Sequence, residues 1–210
     1  MDEPAGLRER KKQRTHQAIS DAAIALFLHR GFDAVSVQDV ADAAEVSKRT
    51  VFKYFPTKED LVLHRVADHE DESARVIRYR EPGQSPLEAL LAHFVAGLWN
   101  GDAITGISDN PQVRQVYELI TGTPALAERL LRYAARSEAA LTTALAEVDF
   151  DPIRPALAAA AIVAVQRTLS ETNQRLIASG TRAGARLPDA ITEAERAFAL
   201  LRDGFGSRYG

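Results

Sequence analysis

The chain has 210 residues, 46% hydrophobic and 26% charged, with a formal net charge of −3 at pH 7; that length allows one large core or two modest ones. It contains no cysteine, which excludes disulfides, thiolate metal sites and cysteine nucleophiles. Its longest uninterrupted apolar run, Ala156–Val165, is about half of what a membrane span requires, and its N-terminus is polar and charged, unlike a signal peptide. A soluble, cytoplasmic protein with no membrane partner is expected. β-Branched residues are sparse and nothing alternates with period two over a useful length, so the chain reads as all-α.

In chain order, residues 1–7 are expected as a disordered arm. The first helix should run from about Arg8 to Arg30, with Ile19, Ala22, Ala23, Leu26 and Phe27 as its apolar stripe and Gly31 ending it. Ser36 then caps a short helix with support from Asp39, and Val37, Val40, Ala41 and Ala44 recur at helical spacing. Ser47 caps a second short helix in which Val51 and Phe55 share a face. Thr57 with Asp60 caps a third element, and Pro56 ends the one before it. This is the spacing of a helix-turn-helix, whose second helix is shaped to enter a DNA major groove. A long helix from Lys58 to about Tyr79 should follow, then a linker over Glu81–Pro86. Ser85 caps the next helix, which carries Leu87, Leu90, Leu91, Phe94, Val95, Leu98 and Trp99. Further helices are expected from Asn110-Pro111 to near Gly122, from Thr123-Pro124 to about Val148, from Asp151-Pro152 to Ser179-Gly180, and from about Thr192 to Arg202.

Charge placement adds a second signal. Cations at a helix N-terminus oppose the helix dipole by a few tenths to about 1 kcal/mol. Yet Lys48 and Arg49 follow Ser47, Lys58 follows Thr57, and Arg8, Arg10, Lys11, Lys12 and Arg14 crowd the start of the first helix. DNA phosphate is an anion that would compensate all three clusters. Residues 1–60 carry ten Lys/Arg and ten Asp/Glu, so the signal is a local stripe and not the net charge.

The residues Ala18, Ala22, Leu26, Phe27 and Gly31-Phe32, then Ser36-Val37, Val40-Ala41, Ala44, Val46-Ser47, Phe52, Tyr54-Phe55, Lys58 and Leu61, resemble the DNA-binding domain of the TetR family of bacterial transcriptional regulators. The resemblance covers about the first 60 residues. Two positions depart from the family pattern. Glu45 stands where a turn Gly is usual, and a left-handed conformation there would cost Glu roughly 1 kcal/mol. Phe52 stands where Tyr is frequent, keeping the ring but losing the hydroxyl. The resemblance implies about nine helices: a three-helix helix-turn-helix domain over residues 1–60 and a larger helical ligand-binding and dimerisation domain over residues 61–210. Lys48, Arg49 and Thr50 open the recognition helix and are candidates for base edges, with Arg49 suited to guanine O6 and N7. Phe52 could meet a thymine methyl or a sugar. Lys53, Tyr54 and Lys58 should face the backbone; the resemblance implies phosphate contacts for the last two. Ser36 and Gln38 could clamp a phosphate at the start of the preceding helix. Arg10, Lys11, Lys12 and Arg14 complete the expected interface.

Residues beyond 60 hold 16 Arg and 19 Asp/Glu and should not bind DNA. A palindromic operator needs a two-fold protein, so a homodimer on double-stranded DNA is expected. Its surface is expected on the last two helices, through Ala158–Val165, Leu169, Leu176, Ile177, Phe198 and Leu201. Candidates for a small-molecule site are His93, Phe94, Trp99, Tyr117, Tyr133, Gln166 and Arg167, a lining suited to a mainly apolar molecule. His64 and His69 do not share a helix face well enough for metal binding. There is no Gly-x-Ser-x-Gly elbow and no Gly-rich phosphate loop. No enzyme activity, no catalytic residue, no metal and no cofactor are expected. The reading is a repressor released from an inverted-repeat operator by a small ligand. A DNA-binding regulator or architectural protein without a ligand is the alternative.

Overall fold

A computed structural model describes residues 3–205. The described residues form ten α-helices and one 3₁₀ turn joined by loops, and contain no strand. They are α1 (Glu3–Arg30), α2 (Val37–Ala43), α3 (Lys48–Tyr54), α4 (Asp60–Ala67), α5 (Glu72–Arg78), α6 (Pro86–Asn100), α7 (Pro111–Gly122), α8 (Pro124–Ala146), α9 (Arg154–Ala178) and α10 (Ala183–Phe205), with the 3₁₀ turn at Ala103–Thr105. No helix among them is long and apolar enough to cross a membrane.

Three boundaries differ from expectation. α1 begins at Glu3, five residues before Arg8, and takes in residues expected as an arm. The single long helix expected from Lys58 to Tyr79 is two, α4 and α5, and this break raises the count from about nine to ten. Between them the backbone makes tight i,i+3 bonds, from His69 N to the Val66 carbonyl (3.1 Å), Glu70 N to Ala67 (3.1 Å) and Glu72 N to His69 (3.2 Å). α10 begins at Ala183 instead of Thr192 and carries Pro188 within it. Pro supplies no N–H and usually breaks a helix. Here the turn before it is held by Arg186, which is 4% exposed, donates to Asn173 Oδ1 at 2.9 Å, and forms an ion pair with Glu193.

The chain forms two compact units, Met1–Arg65 with Gln115–Leu130, and Val66–Arg114 with Leu131–Gly210. In the first, α2 packs on α1 and α3. Its core is Ile19, Ala23, Ile24 and Phe27 of α1, Phe32 and Val35 of the following turn, Val40 and Ala41 of α2, Val51 and Phe55 around α3, and Leu61, Val62 and Leu63 of α4. In the second, α10 packs on α6 and α9. Ala74 and Ile77 of α5, Leu87, Leu90, Phe94 and Leu98 of α6, and Leu141, Ala144 and Leu145 of α8 share one core with Ala158, Ala159, Ile162 and Leu169 of α9 and Ala190, Ala194, Phe198 and Leu201 of α10.

That core corrects the expected dimer surface. Ala158, Ala159, Ile162, Leu169, Ile177, Phe198 and Leu201 are all buried inside the subunit. The apolar residues these helices expose are Leu157 (53%) and Leu200 (75%), with Ile153 and Phe150 just before α9. The segment after α6 is stitched to α9 by side chains. Ser170 Oγ donates to the Ile104 carbonyl (2.7 Å) and Asn173 Nδ2 to the Thr105 carbonyl (2.9 Å), while Gly106 turns the chain at φ +76° against the Ser170 carbonyl.

Candidate nucleic-acid interface

The turn-and-helix geometry follows from local chemistry. Ser36 caps α2 in a full capping box: the Asp39 N–H donates to Ser36 Oγ at 3.1 Å, and the Ser36 N–H and hydroxyl donate to Asp39 Oδ2 at 2.7 and 2.6 Å. These hydrogen bonds from Ser36 hold the Asp39 carboxyl below its ordinary value. Ser47 caps α3, accepting from the Thr50 N–H at 3.1 Å. Thr57 and Asp60 cap α4 reciprocally, at 3.0 and 3.3 Å. The turn between α2 and α3 closes through the Val46 N–H on the Ala41 carbonyl at 2.9 Å. Glu45 in that turn has φ +54°, the one non-glycine with positive φ among the described residues. The left-handed conformation is thus kept at this turn although Glu stands there and not Gly. Glu45→Gly should relieve about 1–2 kcal/mol of left-handed strain, offset in part by glycine's larger unfolded entropy, roughly 0.5–1 kcal/mol. Glu45 is exposed, so no packing is lost. We expect thermal unfolding of the first unit to move up by about 1–4 °C; a decrease would show that Glu45 makes a contact that outweighs its strain.

On α3, Val51 and Phe55 point inward, at 0% and 1% exposure, while Lys48, Arg49 and Lys53 are exposed and Thr50 is half-buried. Phe52 is 43% exposed, a large apolar ring on the outer face. Tyr54 is half-buried, its ring edge-on to His16 at 6.2 Å. α3 therefore presents one outward face of cations, a hydroxyl and a ring. Ser36 and Gln38 are exposed, and each already has an acidic partner: Ser36 with Asp39, and Gln38 Nε2 with Asp42 Oδ1 at 2.8 Å. Arg10, Lys11, Lys12 and Arg14 are exposed on α1, with Lys12 paired to Glu9 at 3.6 Å. Lys58 is half-buried, and its ammonium donates to the Phe32 carbonyl at 2.6 Å.

The residues singled out for a small-molecule site differ in burial and in partners. Phe94 lies in the core of the second unit, Trp99 is 66% exposed, and Arg167 is exposed and paired with Glu171 at 3.0 Å. Tyr117 belongs to the first unit. Tyr133 is buried beneath the Arg136 guanidinium, 4.5 Å from its ring. His93 and Gln166 instead join polar partners, among them His69, which the sequence reading weighs only as a metal ligand. Glu72 Oε2 meets His69 Nδ1 at 2.7 Å and Glu72 Oε1 meets His93 Nε2 at 3.3 Å. Ser73 Oγ donates to Gln166 Oε1 at 3.3 Å, and Arg136 Nε to Glu70 Oε1 at 2.7 Å. The i,i+3 spacing of His69 and Glu72 was the available signal. No group of three or more His, Asp or Glu suited to a metal ion is present among the described residues.

This cluster makes stability depend on pH. Hydrogen bonding from His69 and then His93 pulls the Glu72 carboxyl down to about 2, and Glu72 in turn raises both imidazoles. The Glu72 contribution is present above its ordinary 4.5 and is lost as pH falls toward 2. The histidine contribution is complete below the ordinary 6.5 and fades as pH rises through the raised values. Glu72→Gln should therefore lower the melting temperature most between pH 4.5 and 6.5, with the difference narrowing at pH 3 and at pH 9. A difference independent of pH would show that the three groups are not coupled.

Residues 19–64 match the family model for bacterial regulatory proteins of the tetR family. The transcriptional regulator TcmR of Streptomyces glaucescens is 31% identical over 171 residues, covering 79% of this chain and 75% of TcmR. Among solved structures, the SmeT–triclosan complex superposes with a TM-score of 0.59 at 16% identity, covering 91% of each chain. FadR from Bacillus subtilis, in complex with stearoyl-CoA, superposes at 0.54 and 17% identity over 90% of this chain and 98% of its own. The family match and the kinship to TcmR, on an all-α fold with a capped helix-turn-helix, make this a DNA-binding transcriptional regulator. The chain belongs to the TetR family.

Proposed function

We propose that this regulator is a homodimeric repressor that binds an inverted-repeat operator and releases it when a small, mainly apolar effector binds the second unit. The observation that carries the operator reading is the outer face of α3, where Lys48, Arg49 and Lys53 stand exposed around Phe52 while Val51 and Phe55 anchor the helix inward. Arg49 is assigned to a guanine edge, Lys48 and Thr50 to bases or phosphate, and Phe52 to a thymine methyl or sugar. Lys53, Tyr54, Gln38, Ser36 and the α1 cations Arg10, Lys11, Lys12 and Arg14 are assigned to the backbone. A cytoplasmic location goes with this reading, since the operator would be met there. The dimer is assigned to the exposed α9–α10 face around Leu157 and Leu200. The apolar effector is supported by two neighbours of the same fold whose structures hold triclosan and stearoyl-CoA. The polar side chains around Glu72 would give such a molecule its hydrogen-bonding partners.

Selection of bound duplexes from a random pool by the purified protein should enrich an inverted repeat with half-sites about one helical turn apart. Arg49→Ala should then cost about 1–3 kcal/mol at one base position. Equal weakening on the selected and on scrambled duplexes would remove Arg49 from base reading. Enrichment of nothing at low salt would overturn the operator proposal.

A further inference from the structure

Lys58 stands where the family resemblance implies a phosphate contact, but its side chain is turned inward. Its ammonium donates to the Phe32 carbonyl at 2.6 Å and lies 4.3 Å from the Phe32 ring centroid and 5.7 Å from that of Phe27. The two rings are themselves in contact, with centroids 5.0 Å apart, and both are buried. A carbonyl oxygen and two ring faces make a complete seat for an ammonium. The same carbonyl accepts from the Val35 N–H at 3.4 Å, so it belongs to the turn that delivers the chain to the Ser36 cap of α2. On the other side, Lys58 lies within the Thr57–Asp60 cap of α4, three residues after Phe55, which ends α3. Asp60 is further tied to Arg129 at 3.0 Å. One hydrogen bond spanning 26 residues thus closes the segment that enters α2 onto the segment that leaves α3.

We infer that Lys58 is a positioning residue: it fixes the angle at which the helix-turn-helix leaves the body of the first unit, and it does so from the Phe32 carbonyl instead of from a DNA phosphate. The inference rests on the operator-binding reading above. A cation lost from the phosphate contacts weakens every sequence alike and lowers the salt slope by about 0.9. A cation lost from the base of the motif misaims α3, which matters where bases are read and hardly at all where only phosphates are met.

The test is Lys58→Met, which keeps an apolar stem over the rings, and Lys58→Arg, which keeps the charge but brings a broader head to the seat. With the duplex selected by the wild-type chain and a scrambled duplex of equal length, Lys58→Met should lose about tenfold or more on the first and less than about twofold on the second, at an unchanged salt slope, and Lys58→Arg should not restore binding. Equal losses on both duplexes with a slope lower by about 0.9, and rescue by Arg, would overturn the inference. So would a lower melting temperature with unchanged affinity well below it. A second measurement stands without any variant or operator: NMR of the ¹⁵N-labelled chain should show exchange-protected Lys58 ammonium protons with contacts to Phe32. Their absence would overturn the inference even with a specific operator in hand. Their presence in a chain that selects no duplex would sink the operator proposal and leave the Lys58 bond standing.

Discussion

Gly106→Ala should unfold the second unit near temperatures that the wild-type chain tolerates. The added methyl would land against the Ser170 carbonyl, well inside contact distance, and 2.9 Å from Gln174 Cγ. The first of these is backbone in the middle of α9, which cannot swing aside as a side chain can. The φ of +76° adds a left-handed penalty, about 1–2 kcal/mol, to an overpacking cost of about 1–3 kcal/mol. The close approach exists because Ser170 and Asn173 draw the carbonyls of Ile104 and Thr105 onto α9. Retreat of the turn would therefore strand those side chains, and Asn173 is also the partner of buried Arg186. A total of about 2–5 kcal/mol corresponds to a melting temperature lower by roughly 4–20 °C in a chain of this size. Calorimetry checks it; a shift under 2 °C would mean that the turn moves freely away from α9.

Leu157→Glu combined with Leu200→Glu should leave each protomer folded and break the pair apart. Both leucines are exposed, on the two helices assigned to the dimer, and neither belongs to the core of the second unit. In a two-fold interface each counts twice, and burial of one leucine contributes about 1.5–3 kcal/mol. Four carboxylates in their place would add like-charge repulsion. Sedimentation should show a monomer with unchanged helical content, and affinity for the selected duplex should fall on the order of 10³-fold, toward the non-specific level. An intact dimer would move the interface elsewhere, and a monomer with full operator affinity would remove the need for two-fold symmetry.

The sequence was most legible where structure is decided within three or four residues. Ser36–Asp39 and Thr57–Asp60 make the reciprocal caps their spacing implies, and Ser47 and Ser85 cap α3 and α6 as their positions imply. It failed where the deciding partner lies far along the chain. Nothing local in Asp68–Asp71 forbids a continuous helix, yet Glu70 is held by Arg136, 66 residues away. Pro188 reads as a break until Arg186 is seen bound to Asn173. The small and branched residues of α9 suit a dimer surface or a core equally well in sequence, and only the burial of Ala158 and Ile162 separates the two. Among the candidate effector residues, side-chain type alone could not distinguish Phe94, sealed in the core, from Trp99, turned to solvent.

Trp99 is the chain's single tryptophan and lies 66% exposed at the end of α6. The chain thus carries one indole chromophore, placed in water and confined to the second unit. Its emission should start at the red end of the tryptophan range, open to collisional quenching by iodide. A molecule that shelters the end of α6 would shift that emission to the blue and protect it, while one seated elsewhere would leave it dark to the titration. The native chain can therefore be screened optically, without a label, for molecules that cover this end of α6.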